Sequence, residues 1–182
     1  MSTSLNRLKT FDEDENVNAV IETSRGSRTK LAFDAKLDAF TVKKVIPEGM
    51  SFPFDFGFIP STIGEDEDPV DVLVLTDEAL PAGTVVPSRL IGVIEANQTD
   101  KDGDTTENSR LIAVAVACEI FSDVKKLSDL PLPVVQQIEH FFVTYNQEEG
   151  KCFEPTGRRG PKRAKQCVER GMRRYRRKRR TT

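Results

Sequence analysis

The sequence predicts an α+β fold, a small β-barrel with helices packed on it. Three observations carry that prediction. Strand-type runs fill most of the chain before Ser128, and helical periodicity appears only after it. The chain has 182 residues, enough for one domain with a substantial core. Its hydrophobic content of 37% and charged content of 31% match a globular protein with charged margins.

The elements follow in order. Residues 1–15 read as a disordered acidic N-terminus that ends in Asp12-Glu13-Asp14-Glu15, and they hold no apolar run of the kind a secretory leader needs. Val17, Ala19 and Ile21 alternate as on a half-buried strand. Two further strand runs, 31–33 and 39–46, flank residues 34–38 as a hairpin connection. Residues 50–60 alternate Phe52, Phe54, Phe56 and Phe58, interrupted by Pro53, Gly57 and Pro60. They read as an extended segment lining a site, with ordinary core packing accounting for at least three of the four rings. Strand signals recur at 70–76, 84–96 and 110–119, and 98–109 forms a polar loop between the last two. A helix is predicted over 128–145, where Val134, Ile138, Phe141 and Tyr145 share a stripe and Pro131 and Pro133 sit at the tolerant N-terminal end. A second helix is predicted over 161–175, followed by a solvated basic tail at 176–182.

Composition narrows the chemistry. There is one histidine, His140, and the three cysteines form no CxxC pair, so a histidine- or cysteine-rich metal site is excluded. A reduced compartment, the cytoplasm, is the simpler expectation. No apolar stretch approaches the roughly 18 residues that span a membrane, so no membrane partner is expected. The net charge of −2 conceals an asymmetry. Residues 157–182 hold 13 Lys/Arg against Glu169 alone, or +12, which leaves −14 on residues 1–156. A basic tail on an acidic body could bind nucleic acid or another polyanion, or dock on the body of a neighbouring subunit, and the opposed charges favour tail–body neutralisation.

The densest chemical signal is Gly64-Glu65-Asp66-Glu67-Asp68-Pro69-Val70-Asp71, with the apolar run 72–75 directly behind it. Carboxylates held close repel and raise one another's pKa, and a divalent cation relieves them. Hard oxygen ligands on a strand edge suit Mg2+ or Mn2+, which often hold a substrate phosphate as well. Alone, an octapeptide of this kind is more often an acidic surface turn. The run Asp100-Lys101-Asp102-Gly103-Asp104 resembles the start of a calcium loop, but Thr105 stands where that loop needs glycine and Leu111 where it needs glutamate.

Between Val17 and Tyr145 the chain resembles the soluble inorganic pyrophosphatase family, which is magnesium-dependent and built on a five-stranded barrel of OB type. The most specific match is residues 66–74, DEDPVDVLV, close to the family's D-x-D-P-x-D-V-L-V signature. Phe56-Gly57-Phe58-Ile59-Pro60 lies upstream; Ile91-Gly92-Val93, residues 111–114 and residues 140–145 lie downstream. The resemblance implies a barrel domain over 16–156 flanked by two helices, with 157–182 as a basic C-terminal helix and tail. It implies diphosphate hydrolysis, with Asp66, Asp71 and Glu22 in the metal site and Asp68 as general base toward the attacking water. Lys30, Lys44, Arg110 and Tyr145 would contact phosphate. It further implies a homo-oligomer.

Several positions differ from the family pattern. Ala32 replaces a glutamate, Lys44 an arginine, Phe56 a tyrosine and Asn146 a lysine, while Arg110 stands for a lysine and keeps the charge. Gln98 and Asn108 fall near two metal aspartates, with Asp100, Asp102 and Asp104 in an inserted stretch; Asp100 and Asp104 are the candidate replacement ligands. These differences carry two rival readings. One is a pyrophosphatase-fold protein with weak or altered activity that binds phosphate compounds or nucleic acid through its tail. The other is a metal phosphohydrolase acting on a different phosphoanhydride.

Overall fold

The structure, a computed structural model, describes residues 4–181. The chain order is β1 (Val17–Thr23), β2 (Thr29–Asp34), β3 (Ala39–Val45), β4 (Asp55–Phe58), β5 (Asp71–Leu75), β6 (Val85–Thr99), β7 (Thr105–Glu107), β8 (Arg110–Ala115), α1 (Leu132–Gln147), β9 (Cys152–Arg159) and α2 (Pro161–Thr181). Five strands close a ring. β1 pairs with β4, β4 with β5, β5 with β8, β8 with β6, and β6 returns to β1. All of these pairings are antiparallel except β5 with β8, which is parallel. Closure removes the exposed edges that an open sheet would leave. The predicted barrel with two helices is what the chain forms.

The ring closes on a continuous apolar core. Strands β5 and β8, in the middle of the sheet, read Val72-Leu73-Val74-Leu75 and Leu111-Ile112-Ala113-Val114, and every one of these side chains is buried. Such unbroken apolar runs are expected of strands covered on both faces. Gly57 makes the tight β1–β4 contact, since a Cβ there would stand 1.9 Å from the Val20 carbonyl oxygen. Helix α1 covers one end of the ring with Val135, Ile138, Phe141 and Phe142. Helix α2 packs Ala164, Cys167 and Val168 into the same core.

Strands β2 and β3 pair only with each other, as a hairpin turning through 35–38. A register shift between Lys30 and Leu31 marks a bulge in that hairpin.

Four sequence expectations differ from the structure. Residues 4–15 are ordered rather than disordered, and residues 1–3 lie outside the described residues. Thr10 is buried and donates to the Pro60 carbonyl (3.0 Å), and Phe11 bridges Val17. The acidic run is tied down locally, because Asp12 accepts the backbone N–H of Asn16 (2.8 Å). The polar stretch 98–109 is a β6–β7 hairpin, not a plain loop. Strand β9 was invisible in the sequence because Pro155 and Gly157 interrupt its alternation, yet it pairs with β6 over its whole length. Finally, α2 does not stop at Tyr175 but continues through Thr181. Arginine and lysine are strong helix formers, and their charges complement the helix C-terminus.

Candidate functional site

The hairpin β2–β3, the loop before β5, the start of β8 and the end of α1 enclose a cavity of about 950 Å3. One wall is acidic, with Glu22, Asp66, Asp68 and Asp71. Cationic side chains line the same space, with Lys30, Lys43, Lys44, Arg110 and Lys151, and Lys30 and Arg110 pair directly with Glu22 and Asp71. Phe52, Phe56, Phe58 and Tyr145 form the apolar floor. The Phe52–Phe58 stretch therefore serves both roles read from the sequence. Phe52, Phe56 and Phe58 are buried core residues that also line the cavity, whereas Phe54 stacks edge-on against Phe121 elsewhere.

Three of these cations are held in place. Lys30 Nζ lies 3.1 Å from Glu22 Oε2 and 3.9 Å over the Phe56 ring. Glu22 is buried, and its other oxygen accepts the backbone N–H of Phe33 at 2.8 Å. Burial pushes the Glu22 carboxyl upward, while the Lys30 charge pulls it back. Lys44 Nζ sits 3.5 Å over the Tyr145 ring and 2.8 Å from Glu149. Arg110 is buried, bridges Asp71 at 2.7 Å, donates to Asn108 Oδ1 and lies over the Phe142 ring at 4.9 Å. Its Nε has no hydrogen-bond partner among the described residues. A buried guanidinium with an unspent donor beside a charged cavity is placed to accept an anion there.

The acidic wall is strained electrostatically. The Asp66 carboxyl is pushed up to about 6, first by lost solvation in the concave wall, then by the charges of Asp71 and Asp68. Asp68 is raised for the same two leading reasons, lost solvation and the Asp71 charge. Both residues keep contact with solvent at the mouth of the cavity. Tyr145 is raised as well, chiefly by burial and then by the Glu149 charge, so its hydroxyl keeps its proton.

These are hard oxygen donors whose mutual repulsion a cation would relieve, so the donor set fits a divalent metal ion. The fit is open rather than closed. Among the described residues no three His, Cys, Asp or Glu side chains converge tightly enough to cage an ion. Arg110 and Lys30 already engage Asp71 and Glu22.

Two sequence candidates do not join the site. Neither Asp100 nor Asp104 lines the cavity. Asp100 Oδ1 accepts the backbone N–H groups of Asp102 (3.0 Å) and Asp104 (3.1 Å), closing the β6–β7 turn on itself. An Asx turn satisfies that carboxylate locally. Gln98 and Asn108 line the cavity instead, joined by a 3.0 Å hydrogen bond. All the other candidates (Glu22, Lys30, Lys44, Asp66, Asp68, Asp71, Arg110 and Tyr145) line it. The residues that depart from the family pattern, Ala32, Phe56 and Asn146, cluster on the same walls. Sequence reading missed Lys43, Glu149 and Lys151. Lys43 was signalled only by adjacency to Lys44, and the other two by nothing local.

The basic C-terminus neutralises the acidic body, as the opposed charges favour, but within one chain rather than on a neighbouring subunit. It docks on the acidic body of its own chain. Arg159 and Arg163 flank Glu95 at 3.2 and 2.7 Å, Arg158 grips Glu139 at 2.7 Å, and Arg170 and Arg174 meet Glu107 and Glu65, each at 2.5 Å. Much of the +12 charge is thus spent inside the molecule, and the nucleic-acid reading loses its support. Among the described residues no helix is long and apolar enough to cross a membrane.

The comparisons agree with this geometry. The family model for inorganic pyrophosphatase matches residues 19–176, beyond Tyr145 and through most of α2. The inorganic pyrophosphatase of Thermus thermophilus is 38% identical over 164 residues, covering 88% of this chain and 91% of that protein. The Helicobacter pylori inorganic pyrophosphatase is 34% identical over 175 residues, covering 94% and 98%. Among solved structures, the Thermus thermophilus inorganic pyrophosphatase superposes with a TM-score of 0.84 at 35% identity, covering 96% of this chain and 99% of that one. A Helicobacter pylori inorganic pyrophosphatase gives a TM-score of 0.82 at 34% identity, covering 93% and 98%. On a match that spans nearly the whole chain in sequence and in fold, this chain belongs to the inorganic pyrophosphatase family.

Proposed function

We propose that this chain hydrolyses inorganic pyrophosphate to two phosphates in the cavity lined by these acidic and cationic side chains, with Mg2+ as the working cation and Mn2+ as a substitute. The observation that carries the proposal is the meeting of Asp66, Asp68 and Asp71 with Lys30, Lys44, Arg110 and Tyr145 around one space. Asp66 and Asp71 would hold the cation, with Glu22 completing the acidic wall. When bound, divalent cations screen phosphate charge and make coordinated water more acidic.

The chain's own residues supply the rest. Asp68 takes the proton of the attacking water onto a carboxylate oxygen as the water oxygen bonds to one phosphorus. The bridging P–O bond breaks, and the second phosphate leaves with that bridging oxygen. Lys30, Lys44 and Arg110 stabilise the negative charge that builds on the phosphoryl oxygens. The Tyr145 hydroxyl, held protonated, donates to one of them.

The same reading includes a homo-oligomer in the cytoplasm. Exposed Leu37, Val42 and Val45 on the β2–β3 hairpin and Val116 and Ile120 after β8 support self-association. The free cysteines Cys118, Cys152 and Cys167 suit a reducing compartment. The test is phosphate release from pyrophosphate and from nucleoside triphosphates, with Mg2+ and with chelator. The expected result is Mg2+-dependent release with pyrophosphate strongly preferred. A preference for nucleotides, or release that survives chelation, overturns it.

A further inference from the structure

We infer that α2 is a positioning strap for the acidic loop, with Arg174 and Arg170 as positioning residues that hold Asp66 and Asp68 ready for a divalent cation. The inference rests on the proposed role of that loop, and it concerns residues to which that role assigns nothing.

The loop spanning 63–69 is pinched at its base. The Val70 N–H donates to Thr62 Oγ1 at 3.0 Å, and the Gly64 N–H donates to the Asp68 carbonyl at 2.6 Å. Glu67 has a left-handed backbone (φ 68°), a conformation that a non-glycine residue adopts at a cost. Such a loop, carrying the four consecutive carboxylates Glu65 to Asp68 with Asp71 just beyond it on β5, tends to spread by like-charge repulsion.

Helix α2 opposes that tendency from behind. The Ile63 N–H donates to the Gly171 carbonyl at 3.1 Å. Gly171 lets the helix approach closely, because a Cβ there would stand 2.8 Å from Val70 Cγ2 and 3.0 Å from Thr62 Cβ, at the two ends of the pinch. Beyond Gly171, one helical stripe reaches the loop. Arg174 meets Glu65 at 2.5 Å and Lys178 meets Glu67 at 3.7 Å. One turn earlier, Arg170 holds Glu107 with two hydrogen bonds, of 3.2 and 2.5 Å. Glu107 directly precedes the cavity residue Asn108. A small cavity of about 40 Å3 separates loop from helix, with Asp66, Asp71, Arg170 and Arg174 on its walls. The strap therefore touches the back of the loop whose front faces the substrate cavity. Groups that orient metal ligands from behind influence affinity and rate without touching substrate.

The deciding experiment is Mn2+ binding without substrate, by titration calorimetry, in wild type, Arg174→Met and Arg174→Lys. Positioning predicts that Arg174→Met binds Mn2+ about tenfold more weakly, that Arg174→Lys recovers part of the loss, and that kcat falls with little change in KM. Charge alone predicts the opposite sign, since deleting a cation near an acidic site tightens divalent binding. Mn2+ affinity equal to or tighter than wild type in Arg174→Met overturns the inference. If Arg174→Met does not fold, Arg174→Lys, which keeps the charge and loses only the planar fork, decides alone: Mn2+ binding weaker than wild type supports the strap, and unchanged binding overturns it. Because the readout needs no pyrophosphate, its failure is distinct from failure of the proposed activity.

Discussion

Arg110 concentrates the tension in the site into one residue. Its guanidinium is buried, bridges Asp71, stacks on Phe142 and keeps one donor unspent. Replacing it with methionine preserves bulk but strands the Asp71 carboxylate. Arg110→Met is expected to lose about 1–3 kcal/mol of stability and most of its activity, checked by denaturant titration and steady-state kinetics. Lys44 makes a different prediction. It is poised over Tyr145 and tethered to Glu149, outside the core, so Lys44→Met should raise KM for pyrophosphate while leaving the melting temperature nearly unchanged. The residue scale is also where sequence reading stopped. Asp66, Asp68 and Asp71 stand close in the sequence, but only the family resemblance lifted them above an acidic surface turn. Asp100 and Asp104 looked equivalent in sequence, and only the hairpin geometry shows Asp100 turning its carboxylate onto its own backbone.

At the scale of elements, the barrel depends on a few close approaches. Gly57→Ala would drive a methyl group into the Val20 carbonyl, and β1 cannot yield without leaving the ring. The expected cost is about 3 kcal/mol or more, read as a fall in the denaturation midpoint. Asp77 fastens the turn after β8, accepting the N–H groups of Glu119 (2.8 Å) and Ile120 (3.0 Å) and the Cys118 thiol (3.0 Å). The Glu119 bond leads in holding its carboxyl below the ordinary range. A depressed folded pKa means stability that is present above the unfolded value, about 4, and lost as pH falls through the folded value. The melting-temperature gap between wild type and Asp77→Ala should therefore be constant near neutrality and shrink below about pH 4. The strands of the ring were readable from alternation and unbroken apolar runs. Strand β9 was not, because its pairing with β6 is long-range and its own sequence carries proline and glycine.

For the whole molecule, the opposed charges of body and C-terminus act within the chain. Opposite charge was legible in composition, but its destination was not, since the pairs join residues up to 150 positions apart. The diphosphatase reading was legible in the family resemblance, whereas the meeting of its residues needed the fold. Only ring closure brings Glu22 and Lys30, from the start of the chain, against Asp71, Arg110 and Tyr145. The most direct test of the account is phosphate release from pyrophosphate in Mg2+ by wild type and Asp68→Asn, with Mn2+ binding measured on both. The account predicts Mg2+-dependent turnover in wild type and a loss of about 100-fold or more in kcat for Asp68→Asn, with Mn2+ still bound. Asp68→Asn turning over pyrophosphate at the wild-type rate would contradict it.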